Sequence, residues 1–160
     1  MASGLYLIVV LCVNTGLWFP ANANRFDDEG WTKFGDHLYR FYNTPMEWSD
    51  AERFCTNLDA NLAPLLTPDI YNFIRQIIVR ATGTNTDTWV GGTDALKDGV
   101  WLWSSGAKFA FNRWGPGEPN NFLGKREDCM DINLRGLDYV NDEDCKQRKP
   151  FVCAKRHINH

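Results

Sequence analysis

Apolar residues in the first half of the chain recur at helical spacing, and those in the second half sit in short extended runs. Trp48, Ala51, Cys55 and Leu58 are separated by steps of three and four, which predicts an amphipathic helix whose inner face carries Cys55 and which ends near Asn57. Its start is signalled by Thr44-Pro45-Met46-Glu47, which has capping-box spacing with proline at the first helical position. Thr67-Pro68-Asp69 repeats that punctuation, and Ile70, Phe73, Ile74, Ile77 and Ile78 form the apolar face of a second helix running to about Arg80. Ahead of both, Trp31 to Tyr42 alternates aromatic and polar residues as one or two short strands. After a polar turn at 82–88, Trp89-Val90-Gly91-Gly92 reads as a buried strand closing on a glycine pair. Further strands are expected at Val100 to Trp103, Met130 to Leu134, Gly136 to Val140 and Phe151 to Ala154. This order, helices first and strands with long loops afterwards, predicts an α+β domain.

The longest interruption, Ser104 to Asp128, is rich in glycine and proline. A loop of that length inside a compact domain is usually functional. It carries Glu118 and Asn120 around Pro119, with Glu127 close behind, and Asn141-Asp142 follow before Cys145. These five side chains offer only oxygen to a metal, the donor type that a hard cation such as Ca2+ prefers, and neither thiol nor imidazole joins them. Two of the five are amides, which add an NH2 donor that a carboxylate lacks.

Composition changes the picture in three ways. Leu5 to Val13 is apolar and uncharged, and Ala21-Asn22-Ala23 fits a small-x-small cleavage site. Residues 1–23 are therefore expected to be a secretory signal too short to span a membrane, with 24–29 a lead-in to the domain. Removing that segment takes away Cys12 and leaves Cys55, Cys129, Cys145 and Cys153. In an exported chain these suggest two disulfides, with three pairings open. A formal net charge of -3 disfavours nucleic acid, and the basic runs at Lys146 to Lys149 and Lys155-Arg156 read as solvated surface. An enzyme is not expected: there is no Gly-x-Ser-x-Gly, the cysteines are spent on disulfides, and His37, His157 and His160 make no metal pattern.

The order of these landmarks resembles the C-type lectin-like domain over residues 30–156, with 157–160 as a tail. The likeness rests on the two early helices, Trp89-Val90-Gly91-Gly92 in place of the family's core strand, Glu118-Pro119-Asn120, Asn141-Asp142 and the last three cysteines. It implies two helices, two small antiparallel sheets, a long loop region, and the disulfides Cys55–Cys153 and Cys129–Cys145. The opening after Gly30 is similar to that of small secreted single-domain fish lectins. Cysteines of a longer form are absent together at Asp27 and Leu38. The resemblance further implies one Ca2+ held by Glu118, Asn120, Glu127, Asn141 and Asp142, directly coordinating two vicinal sugar hydroxyls, with a cis peptide before Pro119. Each hydroxyl would give a lone pair to the metal, donate to a carboxylate and accept from an amide.

The Glu-Pro-Asn order is similar to the mannose, fucose and N-acetylglucosamine type. The expected partners are thus glycans with vicinal equatorial hydroxyls on microbial or cell surfaces, as in innate immunity, and for avidity further copies of the chain in a homo-oligomer. Two departures from the family pattern are Val140 in place of tryptophan and one extra residue in the loop Phe122 to Arg126. A second calcium set would be Asp94, Asp98, Asn121, Glu127 and Asp128, with less ligand charge than usual. Two alternatives share the module: a type II antifreeze-like ice-binding protein, against which the intact ligand set and the neighbouring Lys125 and Arg126 speak, and a protein-binding module that keeps calcium as structural support.

Overall fold

A computed structural model describes residues 30–158. The expected signal at 1–23, the lead-in at 24–29 and the last two residues of the tail lie outside the described residues. The elements run β1 (Thr32–Phe34), β2 (His37–Met46), α1 (Trp48–Thr56), β3 (Asn61–Leu62), α2 (Pro68–Thr82), β4 (Thr88–Thr93), β5 (Leu102–Trp103), β6 (Cys129–Ile132), β7 (Val140–Glu143) and β8 (Lys149–Arg156).

The second helix forms as its sequence dictates. Thr67 caps it by accepting from the Ile70 N–H, Pro68 opens it, and Gly83 ends it at φ +79°, a left-handed conformation that glycine adopts without a Cβ penalty. Its face of Phe73, Ile74, Ile77 and Ile78 is buried against Tyr39, Val90, Ile132 and Val152. The Thr67→Ala variant should lose about 1 kcal/mol of stability by urea unfolding; an unchanged midpoint would mean that Pro68 and packing alone fix the start.

The first helix departs from expectation. Thr44 and Pro45 belong to β2, and α1 begins at Trp48 behind Glu47, whose side chain caps nothing. Tertiary pairing overrides the local signal: β2 pairs with β8 in one register to Tyr42, shifts register through the stretch that contains the proline, and pairs again at Met46 opposite Lys149, while the Trp48 N–H bonds to the Cys145 carbonyl. The strand expected at Gly136 to Val140 also shifts. Residues 134–136 make a short 3-10 turn, and the strand runs instead from Val140 through Asn141, Asp142 and Glu143, paired with Ile132 to Cys129. Its polar composition hid it from a reading based on apolar alternation.

The two antiparallel sheets are both present and are joined. One holds β1, β2, β8 and β3, the other β4, β5, β6 and β7, and a parallel contact between Trp89 and Phe151 links β4 to β8 in one mixed sheet. Cys55–Cys153 ties α1 to β8 across 98 residues, and Cys129–Cys145 closes a loop of 16 around β6 and β7. In the chain-entropy account they contribute about 4–5 and about 3 kcal/mol. Trp48 and Trp89 cross-brace the same region, donating to the carbonyls of Val90 and Met46.

At Gly91 the backbone passes so close to β3 that a Cβ would meet the Leu62 carbonyl oxygen at 2.4 Å. A Gly91→Ala change should therefore destabilise by about 1–3 kcal/mol through forced backbone movement. A thermal midpoint equal to wild type would show that β3 can move aside. Glu52 secures β3 from the other side: its carboxylate accepts from Asn61 Nδ2, the Leu62 N–H and Ser104 Oγ.

Candidate metal and ligand site

The long loop is held by its aromatics. Trp101 packs edge-on against Trp114 at 4.7 Å, Trp103 lies 4.9 Å from Phe109, and Phe111 bridges to Trp114. Beyond that cluster the chain is fastened to β7. Trp114 bridges Val140, the Gly115 N–H donates to the Val140 carbonyl at 2.8 Å, and a Cβ on Gly115 would overlap the Tyr139 ring at 2.2 Å. Only glycine permits this approach, which brings Glu118 beside Asn141-Asp142 although 22 positions separate Asn120 from Asp142.

The peptide between Glu118 and Pro119 is cis. Asp142, nearly fully buried, accepts the backbone N–H groups of Asn120 at 2.9 Å and Asn121 at 2.8 Å. Glu127 accepts the Phe122 N–H at 2.7 Å, and its own N–H donates to Asn121 Oδ1 at 3.0 Å. Asn141 donates its amide to the Asp142 carbonyl at 2.6 Å, which leaves its side-chain oxygen uncommitted in that contact. Glu118 keeps one buried carboxylate oxygen without a hydrogen-bond partner.

The electrostatics of these groups are those of crowded acids. Burial, a hydrogen bond shared with Asp142 and the negative charges of Asp142 and Glu127 push the Glu118 carboxyl up to about 7. Burial likewise raises Glu127, against the N–H of Phe122 and with the charges of Asp142, Glu143 and Asp144. Among the described residues no three acidic, histidine or cysteine side chains close into a cage around a metal as they stand. The donor chemistry nonetheless suits a hard cation: three mutually repelling carboxylates, two amide oxygens, and a buried acceptor that nothing among the described residues satisfies.

The second expected set, which shares Glu127 with the first, also comes together, with most of its polar atoms engaged and one buried Asp94 carboxylate oxygen left without a hydrogen-bond partner. Asp94 accepts from the Gly99 N–H, and burial raises its pKa with help from Asp128 and Asp98. Asp98 accepts from the Asn121 amide, and Asp128 is paired with Arg126 at 2.9 Å. Asn121 thus braces the loop between Asp98 and Glu127.

Sequence reading missed the group that supports this region from below. Lys149 is buried and reaches the carboxylates of Asp131, Asp87 and Glu143 at once, while lying 4.9 Å from the Trp89 ring centre. Burial opposes its charge, yet Asp131 and Asp87 outweigh burial and hold the ammonium above its ordinary pKa. Asp131 sits opposite Asn141 in the β6–β7 pairing. Lys149, expected as solvated surface, opens a strand buried from Lys149 to Ala154, so no alternation within β8 marks it as internal.

With this geometry in view, comparison with known proteins is decisive on family. Residues 44–155 match the family model described as Lectin C-type domain. The chain belongs to the C-type lectin domain family. The galactose-specific lectin nattectin of Thalassophryne nattereri is 35% identical over 97% of this chain and 99% of its own length. Human lithostathine superposes with a TM-score of 0.73 at 28% identity, covering 84% of this chain and 94% of that one. A Ca2+-dependent type II antifreeze protein in its Ca2+-free form superposes with a TM-score of 0.70 at 27% identity, covering 78% and 96%. This C-type lectin domain is a non-enzymatic binding module, and among its described residues no helix is long and apolar enough to cross a membrane.

Proposed function

We propose that this C-type lectin domain is a secreted, calcium-dependent carbohydrate-binding protein for sugars of the mannose type. The carrying observation is the convergence of Glu118, Glu127 and Asp142: burial first, then the neighbouring Asp142 and Glu127, raise the Glu118 carboxyl to about 7, and one of its buried oxygens has no partner. Bringing like charges together in a half-buried place is unfavourable unless a cation offsets them. Ca2+, when bound, would supply that charge together with open coordination positions for sugar oxygens. Glu118, Asn120, Glu127, Asn141 and Asp142 would hold it. Around it, carboxylate oxygens accept hydroxyl protons and the Asn120 and Asn141 amides donate, so a pair of vicinal equatorial hydroxyls would find every hydrogen bond matched. One metal suffices for this reading.

The protein should be retained on mannose-agarose in millimolar calcium, released by chelator and by free mannose. Retention unchanged in EDTA would remove the metal from the mechanism, and release by chelator but not by mannose would point to a protein ligand held by a calcium-stabilised module. The competing sugar reading has its own support in nattectin, which is named for galactose. A glycan array with and without calcium decides between them. The paired change Glu118→Gln with Asn120→Asp exchanges an acceptor for a donor and should shift retention toward galactose by about ten-fold; no shift would place specificity in the loop at 122–126. Absence of thermal hysteresis in either calcium state is expected, because an ice-binding face should be flat and weakly charged.

A further inference from the structure

The candidate ligands belong to two segments far apart in the chain, the long loop and β7, and the carboxylates they carry repel one another. Helix α2 reaches both segments from a single face. Tyr71 and Arg75 lie four positions apart on it and so stand side by side. Arg75 spans the base of the connection between β6 and β7: its Nε donates to Asn133 Oδ1 at 2.8 Å, and its guanidinium pairs with Asp138 at 2.9 Å. Tyr71 donates its hydroxyl to the other Asp138 oxygen at 2.8 Å. The Tyr71 ring meets the long loop, with the Arg113 guanidinium 5.2 Å from its centre.

The connection held in this way is one that its own backbone does not favour. Asn133, Arg135 and Gly136 sit at φ +66°, +54° and +78°. For arginine this left-handed conformation is uncommon, and it persists where the surroundings over-determine it. Asn133 is wholly buried and bonded at both ends of its amide, to Arg75 and to the Thr86 carbonyl, while its N–H donates to the Tyr139 carbonyl. Asp138 is followed by Tyr139, whose ring lies against Gly115, and by Val140, whose carbonyl takes the Gly115 N–H. The Gly115 carbonyl in turn accepts the Glu118 N–H at 3.0 Å. A displacement of Asp138 is therefore passed along bonded neighbours to Glu118.

We infer that Tyr71 and Arg75 are positioning residues for the calcium site: from α2 they fix the connection at 133–138 and the Arg113 end of the long loop against one support, so that Glu118 and Asp142 are held together before a metal arrives. The inference rests on the lectin reading above and deepens it. A site assembled in advance binds more tightly, because apparent affinity scales with the fraction of molecules already in the competent arrangement. Neither residue is a candidate ligand, so each acts through the segments it holds.

The test is calorimetry with calcium chloride alone, set beside urea unfolding in EDTA. Arg75→Lys keeps the charge but cannot bond Asn133 and Asp138 together, and it should bind calcium about ten-fold more weakly than wild type. Tyr71→Phe loses only the hydroxyl and should bind about three-fold more weakly. It keeps the buried ring, and it decides the matter if Arg75→Lys does not fold. Raising calcium by the same factors should restore the retention of both variants on mannose-agarose, since only the competent fraction has fallen. Arg80→Gln, on the same helix, should bind calcium as wild type does. Wild-type calcium affinity in Arg75→Lys and Tyr71→Phe would overturn the inference and leave the lectin reading standing, even if their stability in EDTA had dropped, because the contacts would then serve the fold alone. An equal loss in Arg80→Gln, or a retention that extra calcium does not restore, would overturn it as well. A wild-type protein that binds no calcium would overturn both readings.

Discussion

Lys149→Met should lower the unfolding free energy by about 3–5 kcal/mol, because it leaves the wholly buried Asp131 without its cation. The substitution keeps the stem that packs near Trp89, so the loss isolates the charge. Urea unfolding followed by tryptophan fluorescence measures it. The deficit should shrink in acid, and the sign follows from Asp131. With the ammonium gone, burial keeps its folded-state pKa above the unfolded value of 3.8. Between those two values the unfolded chain is ionised and the folded one holds a proton, so stability falls as pH rises through that window and returns as pH is lowered. The double variant Lys149→Met with Asp131→Leu should recover much of the loss, since a buried ion pair replaced by apolar groups is often neutral. A single variant as stable as wild type would mean that water reaches Asp131.

Asp142→Asn should weaken calcium binding at least about 100-fold by calorimetry, since it removes a charged ligand from the centre of the set while keeping one oxygen to accept the Asn120 or Asn121 N–H. Without calcium, the same variant should be no less stable than wild type at pH 8, because it also removes a negative charge from beside Glu118. A purely structural Asp142 would give the reverse, a destabilised protein with normal calcium affinity. Proton competition supplies a second check. The folded-state pKa of Glu118 lies near 7 against 4.5 for an unperturbed carboxyl. In calcium-free protein, stability should therefore decline as pH rises from about 4.5 to about 7 and then level off. Calcium binding requires the ionised form, so affinity should be full above pH 7 and fall as pH drops through 7. A calcium affinity flat between pH 5 and 8 would remove Glu118 from the ligand set.

These outcomes bear on how the module is put together. The same strand, β7, carries Asn141 and Asp142 toward the loop and pairs with β6, where Asp131 meets Lys149. Glu143, the last residue of β7, is itself 3.3 Å from Lys149. Stability and the candidate site thus share a strand, and the Cys129–Cys145 bridge closes around it.

By itself the sequence determined what depends on neighbours along the chain. Thr67-Pro68 starts α2, and the apolar face of that helix is legible because period and burial coincide. The oxygen-rich residues and their family resemblance were equally plain, since residue chemistry needs no coordinates to be read. Tertiary structure decided whatever depends on contacts made across the chain. It drew Thr44 and Pro45 out of a helix start into β2, because Tyr42 and Met46 on either side of them pair with Phe151 and Lys149 of β8 and hold the stretch between extended. It turned the polar run Val140 to Glu143 into a strand, because Ile132 to Cys129 offered matching hydrogen bonds. It buried Lys149 by assembling three carboxylates from distant segments around it. And it placed Glu118 within reach of Asp142 through the close passage of Gly115 over Tyr139, a contact that no spacing between residues encodes.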